Sequence, residues 1–300
     1  METNPLVSVV LCTYNSSSTL PETIESVLRQ SFTDFEFIVW DDGSTDDTSE
    51  VVHSFKDPRI RYHHDQNGGI GKASRQACSH ARGKYIARID SDDLCFPHRF
   101  QTEVDFLESH PDYVLVSSSV EYIDKNGSVI GRNFLCTDNN VIKKNIQYSS
   151  MIVQPMVMFR RDAYIQSGGY QSINIGEDRL LWSRMSKYGK FKNLPTVLGQ
   201  YRLLSSSLSH SRNPYMKVLY ALRTKMIHDE EIQPHDVELF NAIEQLGKES
   251  PVVHDNSKVL KRKKTAEEKV YQVLSHIIGK RFSEKTVFAM KDLFCRLKYR

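Results

Sequence analysis

Tyr85-Ile86-Ala87-Arg88-Ile89-Asp90-Ser91-Asp92-Asp93 is the stretch on which the reading of this chain turns. A largely apolar run stops abruptly at three carboxylates, as a buried strand does when it leaves the core for a ligand-bearing loop. Two earlier segments have the same form. Val7 to Cys12 is an apolar, β-branched run that ends at Thr13-Tyr14-Asn15, and Phe35 to Trp40 ends at Asp41-Asp42-Gly43-Ser44.

Helical patterns separate these runs. Leu20, Ile24, Val27 and Leu28 recur at helical spacing, and Thr48–Phe55 and Lys72–Ala81 read as further helices around a strand at Arg59–His64. Such alternation predicts an α/β fold with a Rossmann-like, mostly parallel sheet and helices on both faces. Ligands of open sheets bind beyond the carboxyl ends of the strands, so the three polar clusters are expected to converge on one crevice.

Past Asp93 the pattern is mixed. His98–His110 and Glu177–Lys187 read as helices, Tyr113–Ile123 and Ser128–Ile130 as a hairpin, Met156–Phe159 as a strand, and Phe191–Arg202 as strands. From Asn213 the chain reads as helical, with a polar break near Glu249–Ser257. The division expected is a catalytic domain over 1–210 and a helical, basic region over 211–300.

With 300 residues and 39% hydrophobic side chains, the chain can bury one large core with an appendage. Its five cysteines, Cys12, Cys78, Cys95, Cys136 and Cys295, form no C-x-x-C pair, which fits free thiols in a reducing compartment rather than a disulfide scaffold. No basic leader and no long apolar span is visible, so a cytoplasmic protein is expected. The net charge of +3 hides an asymmetry: Ser257 to Arg300 carries 13 Lys/Arg against 4 Asp/Glu. Val270, Val273, Leu274, Ile277 and Ile278 share one helical face, and Val287, Met290, Phe294 and Leu297 another. Two basic amphipathic helices are expected, which either pack on the core or lie on the inner face of the plasma membrane; no nucleic-acid partner is called.

Two carboxylates one residue apart at a strand end, Asp90 and Asp92, suit a hard cation such as Mg2+ or Mn2+ bridged to a diphosphate, although paired Asp residues also occur in solvated turns. At the second strand end Gly43 suits a turn and Ser44 a helix cap, which leaves Asp41 and Asp42 unexplained. A carboxylate there could accept the N3–H of a pyrimidine. Glu177 and Asp178 begin a helix, where acidic residues are favoured in any case.

Taken together in order, the segments Val7–Asn15, Phe35–Asp46, Ala81–Asp93 and Gly176-Glu177-Asp178 with Trp182 resemble glycosyltransferase family 2, whose enzymes have a GT-A fold; the likeness covers roughly the first 205 residues. The resemblance implies an inverting enzyme that moves a sugar from a nucleotide-sugar donor, a uridine type as first choice, to a glycan or lipid-linked hydroxyl in surface polysaccharide synthesis. It further implies that Asp42 reads the base, that Thr13 and Tyr14 contact the nucleoside, and that Asp92 is the main ligand of Mg2+ or Mn2+. Asp90 is then a contact to metal or donor, one of Glu177 and Asp178 the general base, and Trp182 either a wall of the acceptor pocket or a core residue. Lys72 and Arg75 either approach the diphosphate or lie on a solvated helix face, and Arg75 stands where the family often has Asn.

Three rival readings meet contrary residues. A phosphate-binding loop of NTPase type fails, because Gln66 stands at its first glycine and Ala73 follows Lys72. A sugar-phosphate nucleotidyltransferase would need a Gly-rich basic loop after the first strand, where Ser16-Ser17-Ser18 stands instead. A non-catalytic sugar-binding protein would have no need of Asp42, Asp90, Asp92, Glu177 and Asp178 together.

Overall fold

The computed structural model describes residues 4–133, 135–146, 151–204, 219, 222–223, 226 and 232–249. The chain divides into two compact units, Met1–Ser211 and Arg212–Arg300.

The first unit opens as strand, helix, strand, helix: β1 (Val7–Thr13), α1 (Leu20–Leu28), β2 (Phe35–Asp41), α2 (Thr48–Ser54), β3 (Ile60–His64), α3 (Ile70–Ser79) and β4 (Tyr85–Asp90). It continues with β5 (Leu94–Cys95), α4 (Arg99–Ser109), β6 (Tyr113–Ile123), β7 (Val129–Arg132) and α5 (Asn139–Asn145). A 3-10 turn at Gln154–Met156 leads into β8 (Val157–Arg160), α6 (Arg161–Gln166), α7 (Glu177–Met185) and β9 (Lys190–Arg202).

The sheet runs β3-β2-β1-β4-β8-β6-β9-β5, and β7 pairs antiparallel with the far end of β6, at Glu121–Ile123. The first four strands are parallel, β8 is antiparallel to both neighbours, and β6 and β9 are parallel to each other. Half of the sheet is therefore the parallel array that alternation predicts, and the other half is mixed.

Alternate strand residues feed two cores. Val10, Cys12, Ile38, Trp40 and Ile86 pack with α3, α6 and α7 on one face, and Val7, Val9, Leu11, Phe37, Val39 and Ala87 pack with α1 and α4 on the other. Complete burial of β1 and β2 explains why both read as unbroken apolar runs. Where Phe191–Arg202 reads as strands, the chain forms the single 13-residue β9, whose pairing with β6 shifts register near Ser118 and Ser119. The register shifts, together with Pro195 inside the strand, account for the broken alternation.

In the second unit α8 (Pro234–Glu249) buries Leu239, Phe240 and Ile243. The polar break beyond Glu249 and the two basic amphipathic helices lie outside the described residues. No helix among the described residues is long and apolar enough to cross a membrane.

Candidate active site

Register places the three polar strand ends side by side. Thr13 of β1 lies opposite Asp41 of β2, and Cys12 lies opposite Asp90 of β4. Loops that follow these ends brace one another. Asn15, held at φ 51°, donates its N–H to Ser44 Oγ at 2.9 Å and accepts the Thr45 N–H at 2.8 Å. Asp46 accepts the Ser17 N–H at 3.1 Å and the Thr48 hydroxyl at 2.6 Å. Slight burial works against its ionised form, yet those donors hold the carboxyl down at about 2.

The pair Asp41-Asp42 splits by function. Asp41 is fully buried and accepts the Ser44 N–H at 2.8 Å and the Tyr62 hydroxyl at 2.6 Å, which makes it a structural brace. Asp42, 5% exposed, accepts the N–H groups of Gly68 and Gly69 at 2.9 and 2.8 Å. Each of its oxygens keeps a second lone pair, so the contact orients the carboxylate and still leaves capacity for a ligand. Gly69 has φ 82°, and a Cβ there would collide with the Asn174 side chain. Asn174 in turn accepts the Gly71 N–H at 3.2 Å, so the glycine loop is tied both to Asp42 and to the segment that enters α7.

Acidic groups crowd the end of β4. Burial and then its neighbour Asp90 raise the Asp92 carboxyl to about 6. Asp93, 1% exposed, is pushed well above the ordinary range by burial, Asp92 and Asp90, even though it accepts the Arg202 N–H at 2.7 Å. Asp90 is raised by burial against the pull of Arg88, and Asp178 adds to the rise. Glu177 is raised well above its usual value, by burial first and by Asp178 and Asp90 after it. The β4 end and the α7 start therefore share one electrostatic site in which several carboxylates resist ionising together.

Beneath the cluster lies Arg88, completely buried, with Nη2 3.5 Å from Asp90 and Nη1 3.2 Å from the Val10 carbonyl. Its guanidinium carbon sits 5.8 Å from the Tyr170 ring centroid. Arg88 Nε, Tyr170 Oη, Trp182 Nε1 and Thr13 Oγ1 are buried and have no hydrogen-bond partner among the described residues.

The structure brings Thr13, Asp42, Asp90, Asp92, Glu177 and Asp178 to one end of the parallel strands. Tyr14 is half-exposed beside them, Lys72 pairs with Asp65 at 3.3 Å, and Arg75 is exposed on α3. Trp182 is 1% exposed and packs edge-to-face against Phe159 at 5.6 Å and Tyr170 at 6.2 Å, so packing favours the core half of its double reading. Arg88, Asp93, Asn174 and Arg202 went unread as site residues. Arg88 alone carried a signal, a charge inside an otherwise apolar strand.

Hard carboxylate oxygens that cannot all ionise without a cation fit Mg2+ or Mn2+. Among the described residues no three His, Cys, Asp or Glu side chains are already arranged around one ion. A cation here would draw part of its coordination from a ligand diphosphate and water, as Mg2+ sites commonly do.

An open cavity of about 490 Å³ lies at the other end of the strands, lined by Leu6, Arg82, Lys84, Arg160 and Arg161 among others. Its cations are largely engaged: Arg82 with Glu36, Lys84 with Glu108, and Arg160 with the carbonyls of Tyr113 and Leu107. The carboxylates raised by one another are at the carboxyl end.

Residues 8–168 match the profile of the family described as Glycosyl transferase family 2. Among individual relatives, chondroitin synthase of Escherichia coli is 32% identical over 196 residues, 64% of this chain and 28% of that protein. The amylovoran biosynthesis glycosyltransferase AmsE of Erwinia amylovora is 29% identical over 213 residues, 69% of this chain and 80% of that one. The chain thus spans less than a third of some relatives and most of others. Among solved structures, S. aureus TarS 1–349 in complex with UDP-GlcNAc superposes with a TM-score of 0.65 at 19% identity, over 91% of this chain and 80% of that one. Mannosyltransferase PcManGT from Pyrobaculum calidifontis, in complex with GDP-Man and Mn2+, gives 0.57 at 15% identity, over 92% and 84%. At such identities the likeness shows the GT-A fold alone.

Proposed function

This chain belongs to glycosyl transferase family 2, and we propose that it moves a sugar from a nucleoside-diphosphate donor onto a glycan or lipid-linked hydroxyl, with inversion, in polysaccharide synthesis. The observation that carries the reading is the set of mutually repelling carboxylates, Asp90, Asp92, Glu177 and Asp178, gathered beyond the carboxyl ends of β1 and β4. Relatives named for chondroitin and amylovoran support the product class, and the neighbours' UDP and GDP-mannose complexes support the donor class.

Thr13, Tyr14 and Asp42 line the nucleoside side, and Asp42 would accept the imino proton of a pyrimidine base on its remaining lone pairs. Lys72 and Arg75, on the helix that starts at the glycine loop, would face the diphosphate. Asp92, with Asp90, would hold Mg2+ or Mn2+, which when bound supplies positive charge beside the leaving diphosphate. Asp178 is the group we assign as general base. It is half-buried and so open to an acceptor, whereas Glu177 is 8% exposed and burial pushes its carboxyl well above the ordinary range. Asp178 would take the proton of the acceptor hydroxyl as its oxygen bonds to the anomeric carbon, and the bond from that carbon to the diphosphate oxygen would break on the opposite face.

A panel of UDP-, GDP- and dTDP-sugars, assayed for nucleoside-diphosphate release with Mn2+ and again with excess chelator, tests the reading. Release from at least one donor that stops in chelator is the expected result. No release from any donor, with or without metal and acceptor glycans, would overturn it.

A further inference from the structure

Arg202, the last residue of β9, is 3% exposed and yet is neither near the end of α7 nor part of any motif. Its contacts converge on the acidic turn from which the metal-dependent reading starts. Its backbone N–H donates to Asp93 Oδ1 at 2.7 Å, and its Nε donates to the Asp92 carbonyl at 2.9 Å. Nη2 donates to Glu22 Oε2 of α1 at 2.6 Å, and Nη1 reaches the carbonyls of Asp124 and Lys125, in the turn between β6 and β7, at 3.4 and 3.3 Å.

The same turn is held from its other side. Thr19 donates its hydroxyl to the Ser91 carbonyl at 2.9 Å, and the Ser91 hydroxyl donates to Ser16 Oγ at 2.9 Å. β5, which follows Asp93 directly, pairs with Gly199 and Gln200 of β9, and a Cβ at Gly199 would come within 2.5 Å of the Leu94 carbonyl. Asp92 is thus one link in a turn clamped between the β1–α1 loop and the end of β9.

We infer that Arg202 is the positioning residue for the cation: its guanidinium fixes the Asp92 backbone, and its amide fixes the Asp93 side chain, so that the Asp92 carboxylate faces the crevice in one orientation. A planar fork with five donors suits this task, because it reaches Asp92, Glu22 and the hairpin turn in one plane, which an ammonium group does not. Glu22, 63% exposed, is the outer anchor of that fork. The inference rests on the metal-dependent reading of Asp92 and extends it to a residue 110 positions away in sequence.

Mn2+ binding is measured on the full chain by electron paramagnetic resonance of free Mn2+, with saturating UDP, for the unsubstituted protein, Arg202→Lys, Arg202→Gln and Glu22→Gln. UDP binding in excess chelator and the thermal midpoint are recorded for each. Partners behind a metal ligand commonly set about 10–100-fold in metal affinity, so Arg202→Gln is expected to weaken Mn2+ by at least about tenfold. Arg202→Lys should weaken it by several-fold and Glu22→Gln by roughly twofold, while UDP binding in chelator stays within about twofold in all three. Should Arg202→Gln not fold, Arg202→Lys decides. Wild-type Mn2+ affinity in folded Arg202→Lys and Glu22→Gln overturns the assignment of Arg202 alone; no Mn2+ on the unsubstituted protein overturns the metal reading together with it. Parallel loss of Mn2+ and chelator-phase UDP binding marks general unfolding of the site and also counts against the assignment.

Discussion

Glu36 on β2 and Asp92 just beyond β4 lie toward opposite ends of the two parallel strands that flank β1, and they ionise in opposite ways. Glu36, near the amino end of β2, is 3% exposed, and burial works against its charge. It nevertheless titrates below its usual value, because the Ser8 hydroxyl at 2.7 Å, the Arg82 N–H at 2.8 Å, Arg82 Nε at 2.9 Å and Arg61 all donate to it. Asp92 is raised to about 6, by burial first and then by its carboxylate neighbour Asp90, with no guanidinium among the described residues bonded to its carboxylate as Glu36 has. Burial alone therefore does not separate a structural acid from a functional one; what does is whether the fold supplies the cation. At the amino end Arg61 and Arg82 do so. At the carboxyl end Arg88 and Arg202 are spread over Asp90, Asp92, Asp93 and Glu177, and the proposed divalent ion and diphosphate would fill the shortfall.

The contrast breaks most visibly if the acidic end turns out to be inert. Asp178→Asn keeps shape and removes basicity, so transfer should fall by about 10²–10⁴-fold in steady-state assays while donor binding survives. Glu177→Gln should cost much less, since Glu177 is 8% exposed and burial first, then Asp178 and Asp90, push its carboxyl toward the neutral form. Equal, small losses for both amides would put the activating group elsewhere. Asp92→Asn is expected to lower metal-dependent donor turnover by about 10²–10³-fold, the scale of losing one main stabiliser of developing charge. Undiminished turnover in excess chelator would remove the distinction between the two ends altogether.

How far the sequence foretold this site depends on how local each part is. Strand ends at Thr13, Asp42 and Asp90 were legible because buried parallel strands are apolar without a break and the polar loop begins within one residue. The mixed half was less so: α5 and α6 have 7 and 6 residues, too short for a helical period to show, and β5 has 2. Arg202 was invisible for another reason. Its partner Glu22 is 180 residues away, and no spacing rule reports a contact made only after β9 has paired with β5 and β6. Trp182 stayed ambiguous because one apolar face of α7 fits a core and a pocket wall equally well.

Asp42 sharpens the comparison, since it lies at the functional end but has its donors already in place. If it serves a base as well as the glycine loop, Asp42→Ala should weaken UDP binding by about 1–3 kcal/mol in calorimetry. A lower thermal midpoint with unchanged UDP affinity would class it with Glu36, as an acid that the fold uses for itself.

The smallest effect expected is on stability, and its sign differs between the two ends. A carboxyl whose folded value lies below the usual 4.5, as for Glu36, contributes stability that is present above 4.5 and is lost as pH falls through the lower folded value. Asp92 works the other way: its folded value of about 6 exceeds the ordinary 3.8, so the folded state binds the extra proton between them and stability declines as pH rises through that window. Glu36→Gln leaves Arg61 and Arg82 without their anion, but both reach solvent, so a loss of about 2 kcal/mol at pH 7 is expected rather than the larger figure for a fully buried pair. Urea titrations at pH 7 and pH 4 check this. The Glu36→Gln penalty should shrink at pH 4, whereas Asp92→Asn should gain stability at pH 7 and lose that gain at pH 4. A Glu36→Gln penalty that is the same at both pH values would mean that its hydrogen bonds, and not its charge, hold the amino end together.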